Sequence, residues 1–289
     1  MNTKDIESGF RFSQSFFLSA GEVNAEGEMA LPLLVSKIID IATAHANSLG
    51  IGNPSMAPMH RGWVLSRLAL EMERYPQVNC HYTLTTWVEM WTRHFSERII
   101  MISDEEGRPY GYCRTVWMVL DYETRESVGL SHLSLPAAAV IPDECPIPRQ
   151  GRHFQILSPD AEDLPKGAVR ANASAVSHTF LYTDLDYYRH VNTVRYVSLL
   201  LNRFTLRDFD ETMVRRLELA FLHEATYGQT VTILRHDTLT ADEPSADGST
   251  PEQSGSTTEA VSSFYLTDTT DATPILFAKI ARTGRPLVV

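Results

Sequence analysis

The sequence has few of the features that would cross-link the chain or insert it into a membrane. Its three cysteines, Cys80, Cys113 and Cys145, lie far apart and lack the paired spacing of a metal site, so we expect reduced thiols. No apolar run approaches the ~20 residues that cross a bilayer, and the first ten residues lack the apolar core of a signal peptide. These absences predict a cytoplasmic protein with no membrane insertion, no metal and no cofactor.

Positive charge is also scarce. The chain has 25 Lys and Arg against 36 Asp and Glu, which gives a formal net charge of −11. Binding to a polyanion needs a surplus of basic side chains, so the balance argues against nonspecific nucleic-acid binding. A serine elbow of the G-x-S-x-G type is absent as well, and none of the cysteines falls beside the histidine-bearing segment described below.

What the chain does contain is enough apolar sequence for a proper core. With 289 residues, 43% of them hydrophobic, it suits one large domain or two of about 145 residues. A strand at 12–19 is followed by helical spacing from Met29 that includes His45 and stops at Gly50. We expect His45 on the inner face, in the core or lining a pocket. Four strands are predicted next, at 62–73, 82–94, 97–104 and 110–122.

The same order of elements recurs after a proline-rich segment. Six of the fifteen prolines fall between Leu135 and Pro165, which indicates an extended linker running over a domain surface. A strand at 176–183 and a helix at 190–204 follow, with strands at 214–223, 229–238, 260–267 and 274–282. The polar run at 241–259 is predicted to be a mobile loop. The pattern predicts an α+β protein made of two similar halves, each a long helix wrapped by antiparallel strands.

Chemistry-bearing residues concentrate in one stretch, Thr183 to Phe204. His190 lies four residues before Val194, which starts an apolar helical stripe, so the spacing predicts His190 in the first turn of a helix. Asp184 and Asp186 lie just before it. An imidazole, carboxylates and unpaired helix amides could stabilise an oxyanion and move a proton, but an aspartate helix cap and a core histidine give the same pattern.

The run DLDYYRHVNTVRY resembles the motif of the acyl-acyl-carrier-protein thioesterases, in which Asp-Leu-Asp-x-Asn-x-His-Val-Asn-Asn precedes the helix of a hot-dog fold. The resemblance implies a tandem, or double, hot-dog protein. Residues 1–134 would form an N-terminal hot-dog holding the acyl chain, 135–170 the linker, and 171–289 a C-terminal hot-dog carrying the catalytic residues.

The same resemblance implies a set of catalytic residues. Asp186 and His190 match the family aspartate and histidine, and Asn192 supports them. Tyr188 stands where the family has asparagine, so either its hydroxyl orients water or its backbone and Asn192 take over that task. Glu224, in LELAFLHEATYGQTVTI, matches a later glutamate, with Ala225 in place of the family cysteine. This replacement disfavours a cysteine nucleophile.

Thioester hydrolysis needs a positioned water, a base and donors for the developing oxyanion. We expect water to attack the acyl carbonyl, Asp186 and Glu224 to handle the proton, His190 to orient the water, and helix-start amides to receive the oxyanion. A covalent carboxylate route stays open. Strand alternation would place Glu224 on one face with Glu218 and Ala220, either as a surface residue or as a pocket base.

The resemblance also implies substrate and partner contacts. Met59 and Trp63 are candidates for limiting acyl-chain length. An acidic acyl carrier protein needs a basic face, and between Arg189 and Arg216 six arginines, Arg195 among them, face three acids, a local charge of +3. A solvated helix end would give the same count.

The expected function is hydrolysis of fatty acyl-acyl-carrier-protein thioesters, which releases the fatty acid and ends chain elongation. Two alternatives stay open at this point: an acyl-CoA thioesterase, and a non-catalytic hot-dog protein that binds acyl thioesters. The replacement of asparagine by Tyr188 favours the latter. A homodimer is also possible.

Overall fold

The computed structural model describes residues 10–142, 145–151, 175–240 and 259–285. The chain divides into two compact units. The first unit comprises Met1–Gln150 and Asn192–Leu199, and the second comprises Gly151–Val191 and Leu200–Val289.

The first unit contains one long helix and a five-stranded sheet. Its elements are β1 Phe12–Phe17, α1 Leu31–Ser48, the single turn α2 Asn53–Met56, β2 Arg61–Met72, β3 His81–Trp91, β4 Ser96–Ser103 and β5 Pro109–Asp121. All strand pairs are antiparallel, in the order β1-β3-β4-β5-β2. The predicted strands are confirmed, with ends that shift by one to three residues.

Helix α1 follows from its apolar spacing. Pro32 lies in the first turn, where its missing N–H costs nothing, and Gly50, at a φ of +72°, comes directly after the helix end. The residues that recur on one face are buried: Leu31, Leu34, Val35, Ile38, Ile41, Ala42, His45 and Ala46. His45 is therefore a core residue, as predicted from its place in the stripe.

The beginning of the predicted linker packs on the sheet of the first unit. Val140 forms a parallel bridge with Val88, and the Ile141 amide donates to the Val88 carbonyl at 2.8 Å. Ile141 is buried in a cluster with Trp87 and Ile99. Residues 137–142 and 145–151, called the strap below, thus pack on this sheet. The rest of the predicted linker, residues 143–144 and 152–170, lies outside the described residues.

The second unit repeats this strand order. Its elements are β6 Val176–Thr179, α4 Leu206–Glu211, β7 Thr212–Phe221, β8 Thr230–Thr240, β9 Glu259–Asp268 and β10 Pro274–Gly284. The helix α3, Thr193–Leu201, precedes α4, and its residues up to Leu199 group with the first unit. The strands pair antiparallel in the order β6-β8-β9-β10-β7, which matches β1-β3-β4-β5-β2 strand for strand. The predicted duplication of architecture is confirmed. Of the polar loop predicted at 241–259, residues 241–258 lie outside the described residues, and Glu259 begins β9.

The helix predicted at 190–204 differs from the observed one at both ends. Helix α3 begins at Thr193 because the residues before it form a separate turn. It ends at Leu201, and Thr205 then starts α4 with a capping box, in which the Thr205 hydroxyl and the Asp208 carboxylate each accept a backbone amide from the other residue. The short helix α4 was missed, although the Thr-x-x-Asp spacing signals it.

Among the described residues, no helix is both long enough and apolar enough to cross a membrane.

Candidate active site

The first part of the motif folds into a tight turn closed by Asp186. Its Oδ1 accepts the backbone amides of Tyr188 at 2.9 Å and His190 at 3.1 Å. The backbone closes the same turn, with Asp186 N donating to His190 O at 2.8 Å and Arg189 N donating to Asp186 O at 3.0 Å. Arg189 adopts a left-handed φ of 67°. Aspartate suits this turn because its short carboxylate reaches the amides that follow it.

The turn places His190 beside the connection between β7 and β8. His190 bridges to Thr226, and the Val191 amide donates to Ala225 O at 2.8 Å. Glu224 lies on that connection. The His190 Nε2 atom is 3.6 Å from Glu224 Oε2, and the two side chains are 25% and 38% exposed. The sequence-predicted histidine and glutamate are therefore brought together at a partly open edge of the second unit.

The structure corrects the way in which these two residues were expected to be positioned. His190 precedes the helix rather than lying in its first turn. Strand β7 ends at Phe221, and the amides of Leu222 and His223 both point to the Ile275 carbonyl, at 2.9 and 3.3 Å. The alternation of faces along β7 therefore does not reach Glu224, whose position is set by the loop.

Asn192 acts as the cap of α3. Its Oδ1 accepts the Val194 amide at 3.0 Å, and its carbonyl accepts the Arg195 amide at 2.9 Å. The supporting role of Asn192 in the site stays a prediction. These contacts engage two of the helix-start amides proposed as oxyanion donors, so that donor role stays a prediction as well. The Arg195 side chain is exposed.

Tyr188 is half-buried, and its ring centroid lies 3.9 Å from that of Tyr187. Its backbone amide is already used by Asp186, so a role for Tyr188 in positioning water would have to use its hydroxyl or its backbone carbonyl.

The two residues proposed to limit acyl-chain length lie in the first unit. Trp63, on β2, donates its indole N–H to the Ile51 carbonyl at 2.7 Å and packs edge-on against Trp91, with ring centroids 6.0 Å apart. Met59 ends the short turn before β2, and 43% of its surface is exposed. Their effect on chain length stays a prediction.

Several charges of the basic segment are paired. Arg207 pairs with Glu211 and Arg216 pairs with Glu218, each at 2.7 Å. Glu211 is already included in the local charge of +3, and Glu218, on the same strand as Arg216, is offset by Arg282, which pairs with Asp208 at 3.0 Å.

The first unit contains the same turn with different side chains. Asn24 Oδ1 accepts the amides of Glu26 at 3.2 Å and Glu28 at 2.8 Å, and Gly27 there has a φ of 75°. Glu28 bridges to Gln77 as His190 bridges to Thr226. The hydrogen bonds thus pair Asn24 with Asp186 and Glu28 with His190. Counting back along the matching connection pairs Tyr75 with Glu224.

This comparison separates what the fold requires from what the chemistry requires. The carboxamide of Asn24 closes the first turn as well as the Asp186 carboxylate closes the second. The imidazole and carboxylate of His190 and Glu224, by contrast, are replaced by the carboxylate of Glu28 and the phenol of Tyr75. The imidazole–carboxylate pair at this position is therefore found in the second unit and not in the first. Sequence reasoning placed a turn around Gly21 to Gly27 but missed the one at Asp186, where the left-handed residue is Arg189 and not the glycine that usually signals such a turn.

Sequence reasoning also missed a buried polar contact in the first unit, where the Arg98 guanidinium lies 2.5 Å from His45 Nδ1. Burial, and then the charge of Arg98, lower the pKa of His45 to about 3. His45 is therefore neutral and accepts the hydrogen bond. Within the described ranges, no group of three or more potential metal ligands comes together.

Comparison with known proteins gives concordant matches along most of the chain. The model of the acyl-ACP thioesterase N-terminal domain matches residues 9–131, and that of the C-terminal domain matches residues 170–270. Over 84% of its length, the chain is 23% identical to a chloroplastic acyl-[acyl-carrier-protein] hydrolase of Cuphea viscosissima. Over 76%, it is 24% identical to a chloroplastic palmitoyl-acyl carrier protein thioesterase of Gossypium hirsutum. The chain spans only 58% and 54% of these two relatives.

Solved structures match over nearly the whole chain. An acyl-ACP thioesterase from Bacteroides thetaiotaomicron gives a TM-score of 0.74 at 23% identity, covering 96% of this chain and 99% of that one. The 12:0-ACP thioesterase from Umbellularia californica gives 0.72 at 17% identity, covering 96% and 95%. These matches confirm the predicted α+β tandem hot-dog fold.

Proposed function

Because the chain belongs to the acyl-ACP thioesterase family, we propose that it hydrolyses the thioester between a fatty acyl group and acyl carrier protein. Free fatty acid and the carrier thiol are the products, and chain elongation ends. The observation that carries the proposal is the pairing of His190 and Glu224 at 3.6 Å on a partly exposed edge. The equivalent turn of the first unit lacks this pair.

The proposed reaction is direct attack by water. The His190–Glu224 pair takes a proton from the water as its oxygen bonds to the acyl carbonyl carbon. The carbonyl oxygen becomes an oxyanion, which collapses as the carbon–sulfur bond breaks. The thiolate leaves with little acid assistance because thiols are much stronger acids than alcohols. The 3.6 Å separation exceeds a hydrogen bond, and such catalytic contacts often tighten only when substrate is bound.

Asp186 has a positioning role in this proposal. Its Oδ1 holds the amide of His190 itself, so the carboxylate fixes the backbone from which the imidazole projects. Tyr188, where the family has asparagine, offers a hydroxyl that can orient the attacking water. The proposed role of Met59 and Trp63 is to bound the acyl chain.

The cytoplasmic location and the homodimer stay predictions. The two curated relatives named above are chloroplastic proteins.

The proposal is tested by following thiol release from acyl carrier proteins loaded with a series of fatty acyl groups. His190→Ala should lower kcat by about 100-fold or more, because a positioned acid–base group typically contributes that much. The matched control is Glu28→Ala, which alters the equivalent position of the first unit and should leave kcat within about 2-fold.

Three results would contradict the proposal. Equal losses in both variants would mean that the turns serve the fold alone. Faster turnover of the same acyl group on CoA would make the protein an acyl-CoA thioesterase. Tight binding of acyl carrier protein without thiol release would make it a binding protein.

A further inference from the structure

Four large apolar or aromatic side chains of the second unit lie open to solvent close together in the fold. Leu181 is 56% exposed, Tyr182 82%, Tyr187 76% and Tyr227 64%. Such side chains normally bury much of their surface, and a cluster of them in solvent marks an interaction site in many proteins. We refer to these four residues as the collar.

Backbone hydrogen bonds join the segments that carry the collar to one another and to the candidate active site. The Gly228 amide donates to Phe180 O at 2.9 Å, which ties the residue after Tyr227 to the residue before Leu181. Tyr187 lies inside the Asp186 turn, whose last residue, His190, bridges to Thr226. The collar therefore lies on segments next to the His190–Glu224 pair.

The duplicated architecture shows that the fold does not need these side chains. In the first unit, the Asn79 amide donates to the Leu18 carbonyl, and the Leu18 amide donates to the Cys80 carbonyl. The second unit has the same two bonds: the Gly228 amide donates to the Phe180 carbonyl, and the Phe180 amide donates to the Gln229 carbonyl. This pairing and that of the turns give the counterparts of the collar in order: Ser19, Ala20, Ala25 and Val78. The same backbone thus forms with three small residues and one valine, so collar residues were selected for something other than folding.

We propose that the collar is the docking surface for the protein that carries the thioester, an inference that rests on the proposed function. A thioester can reach His190 only if the body of its carrier comes to the open side of the site, and the collar is what that body meets. Tyrosine and leucine on a rigid turn provide contact area at low entropic cost.

The charges beside the collar favour apolar contact as the source of affinity. The same segments carry Asp184, Asp186 and Glu224 against the exposed Arg189, so they give an acidic carrier little electrostatic attraction. Docking on the collar should therefore depend weakly on salt, whereas docking on the basic segment from Arg189 to Arg216 should weaken strongly as salt screens it.

The test replaces three collar residues with their own counterparts from the first unit: Leu181→Ser, Tyr182→Ala and Tyr227→Val in one chain. Tyr187 is kept, because its ring lies against Tyr188, whose hydroxyl is proposed to orient the attacking water. Two substrates are compared, an acyl group on carrier protein and the same group on free pantetheine. We expect kcat/KM for the carrier substrate to fall by about 10- to 100-fold and that for acyl-pantetheine to stay within about 2-fold. Leu206→Ala, which truncates an exposed leucine of α4 away from the collar, is the matched control and should change neither.

Direct binding separates this inference from the proposed function. The probe is carrier protein bearing an amide-linked, non-hydrolysable acyl-pantetheine, titrated at 50 and 300 mM salt. Loss of binding in the collar variant, with little salt dependence in the wild type, supports docking even if no turnover is found. Wild-type turnover that survives unchanged in the collar variant overturns docking and leaves the hydrolase. Equal losses on both substrates, a changed oligomeric state, or loss of vesicle binding in place of carrier binding would also overturn it.

Discussion

Asp186 holds the turn from which the candidate site residue His190 projects. Its carboxylate oxygen holds the amides of Tyr188 and His190, and Asn24 makes the equivalent contacts with a carboxamide. A neutral acceptor is therefore sufficient to form the turn. The contribution of the negative charge of Asp186 to activity can therefore be measured separately from the contribution of its hydrogen-bond-accepting oxygen to the turn.

We predict that Asp186→Asn keeps the melting temperature and most of the activity, within about 10-fold, because Asn retains the accepting oxygen. Asp186→Ala should lose about 1–2 kcal/mol of stability along with activity, since two amides lose their partner. Thermal unfolding and thiol release check both variants. If the Asn variant were fully folded but as inactive as the Ala variant, the charged carboxylate of Asp186 would itself take part in the proton transfer.

Arg189 occupies a backbone conformation that suits glycine better. Its φ of 67° lies in the left-handed region, where the equivalent residue of the first unit is Gly27 at 75°. A side chain in that region destabilises the folded state by roughly 1–2 kcal/mol. Glycine avoids this strain, but it loses more conformational entropy on folding, which offsets part of the gain.

Arg189→Gly should therefore raise the free energy of unfolding by about 0.5–1 kcal/mol. The reciprocal change, Gly27→Ala, should lower it by about 1 kcal/mol, because no neighbouring atom lies within 4 Å to cause a further clash. Thermal unfolding followed by circular dichroism measures both changes. Destabilisation by Arg189→Gly would mean that the arginine side chain contributes more than its backbone costs.

Among the larger elements, the strap is held to its sheet by a closed group of charges. Arg149 donates to Glu89 at 3.1 Å and to Glu97 at 3.2 Å, while Arg114 pairs with both glutamates and donates to the Ile147 carbonyl at 3.3 Å. Glu89, Glu97 and Arg114 are buried, whereas Arg149 is half-exposed. Two acids therefore share two arginines beneath the strap.

Removing Arg149 should leave one buried negative charge without compensation. We predict that Arg149→Ala lowers the free energy of unfolding of the first unit by about 1–2 kcal/mol, less than for a fully buried pair because Arg149 is half-exposed. Arg207→Ala, which breaks the exposed pair with Glu211, should cost less than about 0.5 kcal/mol. Urea unfolding measures the free energy of unfolding of both variants. An equal loss in the two would mean that Arg149 stabilises the protein no more than an exposed ion pair does.

The sequence predicted elements better than their junctions. Apolar periodicity places α1 and all of the long strands within a few residues because core contacts reward the same spacing along a whole element. The junctions that carry the site follow other rules. The Asp186 turn depends on one carboxylate and one left-handed residue, and the position of Glu224 depends on where β7 stops, so neither appears as a periodic pattern. The pairing of His190 with Glu224 came from resemblance, and no periodicity could have supplied it.

For the molecule as a whole, one buried group makes stability depend on pH. Burial and Arg98 lower the pKa of His45 to about 3, from an ordinary value of 6.5. The unfolded chain therefore binds a proton below about pH 6.5 that the folded chain refuses until about pH 3. This contribution is fully present above pH 6.5 and is lost as the pH falls through that window.

As the pH is lowered from 6.5 to 4, the His45 contribution should therefore lower the free energy of unfolding by up to about 1.4 kcal/mol per pH unit. His45→Gln keeps an acceptor for Arg98 but does not titrate, so its slope should be shallower than that of the wild type. His94→Gln, at an exposed histidine, is the control. Urea unfolding followed by tryptophan fluorescence is suited to this test because all four tryptophans lie in the first unit with His45. Identical slopes in all three proteins would contradict it.

Two copies of one turn within a single polypeptide have an evolutionary consequence. Once the chemistry resides in one copy, selection no longer holds the other to an imidazole and a carboxylate, and only its backbone contacts and its packing remain under constraint. A combinatorial library that randomises both turns should therefore yield survivors with varied residues at Glu28, apolar or aromatic residues at the buried Tyr75 and an acceptor kept at Asn24. At positions 190 and 224, the same selection should return little except the wild-type pair.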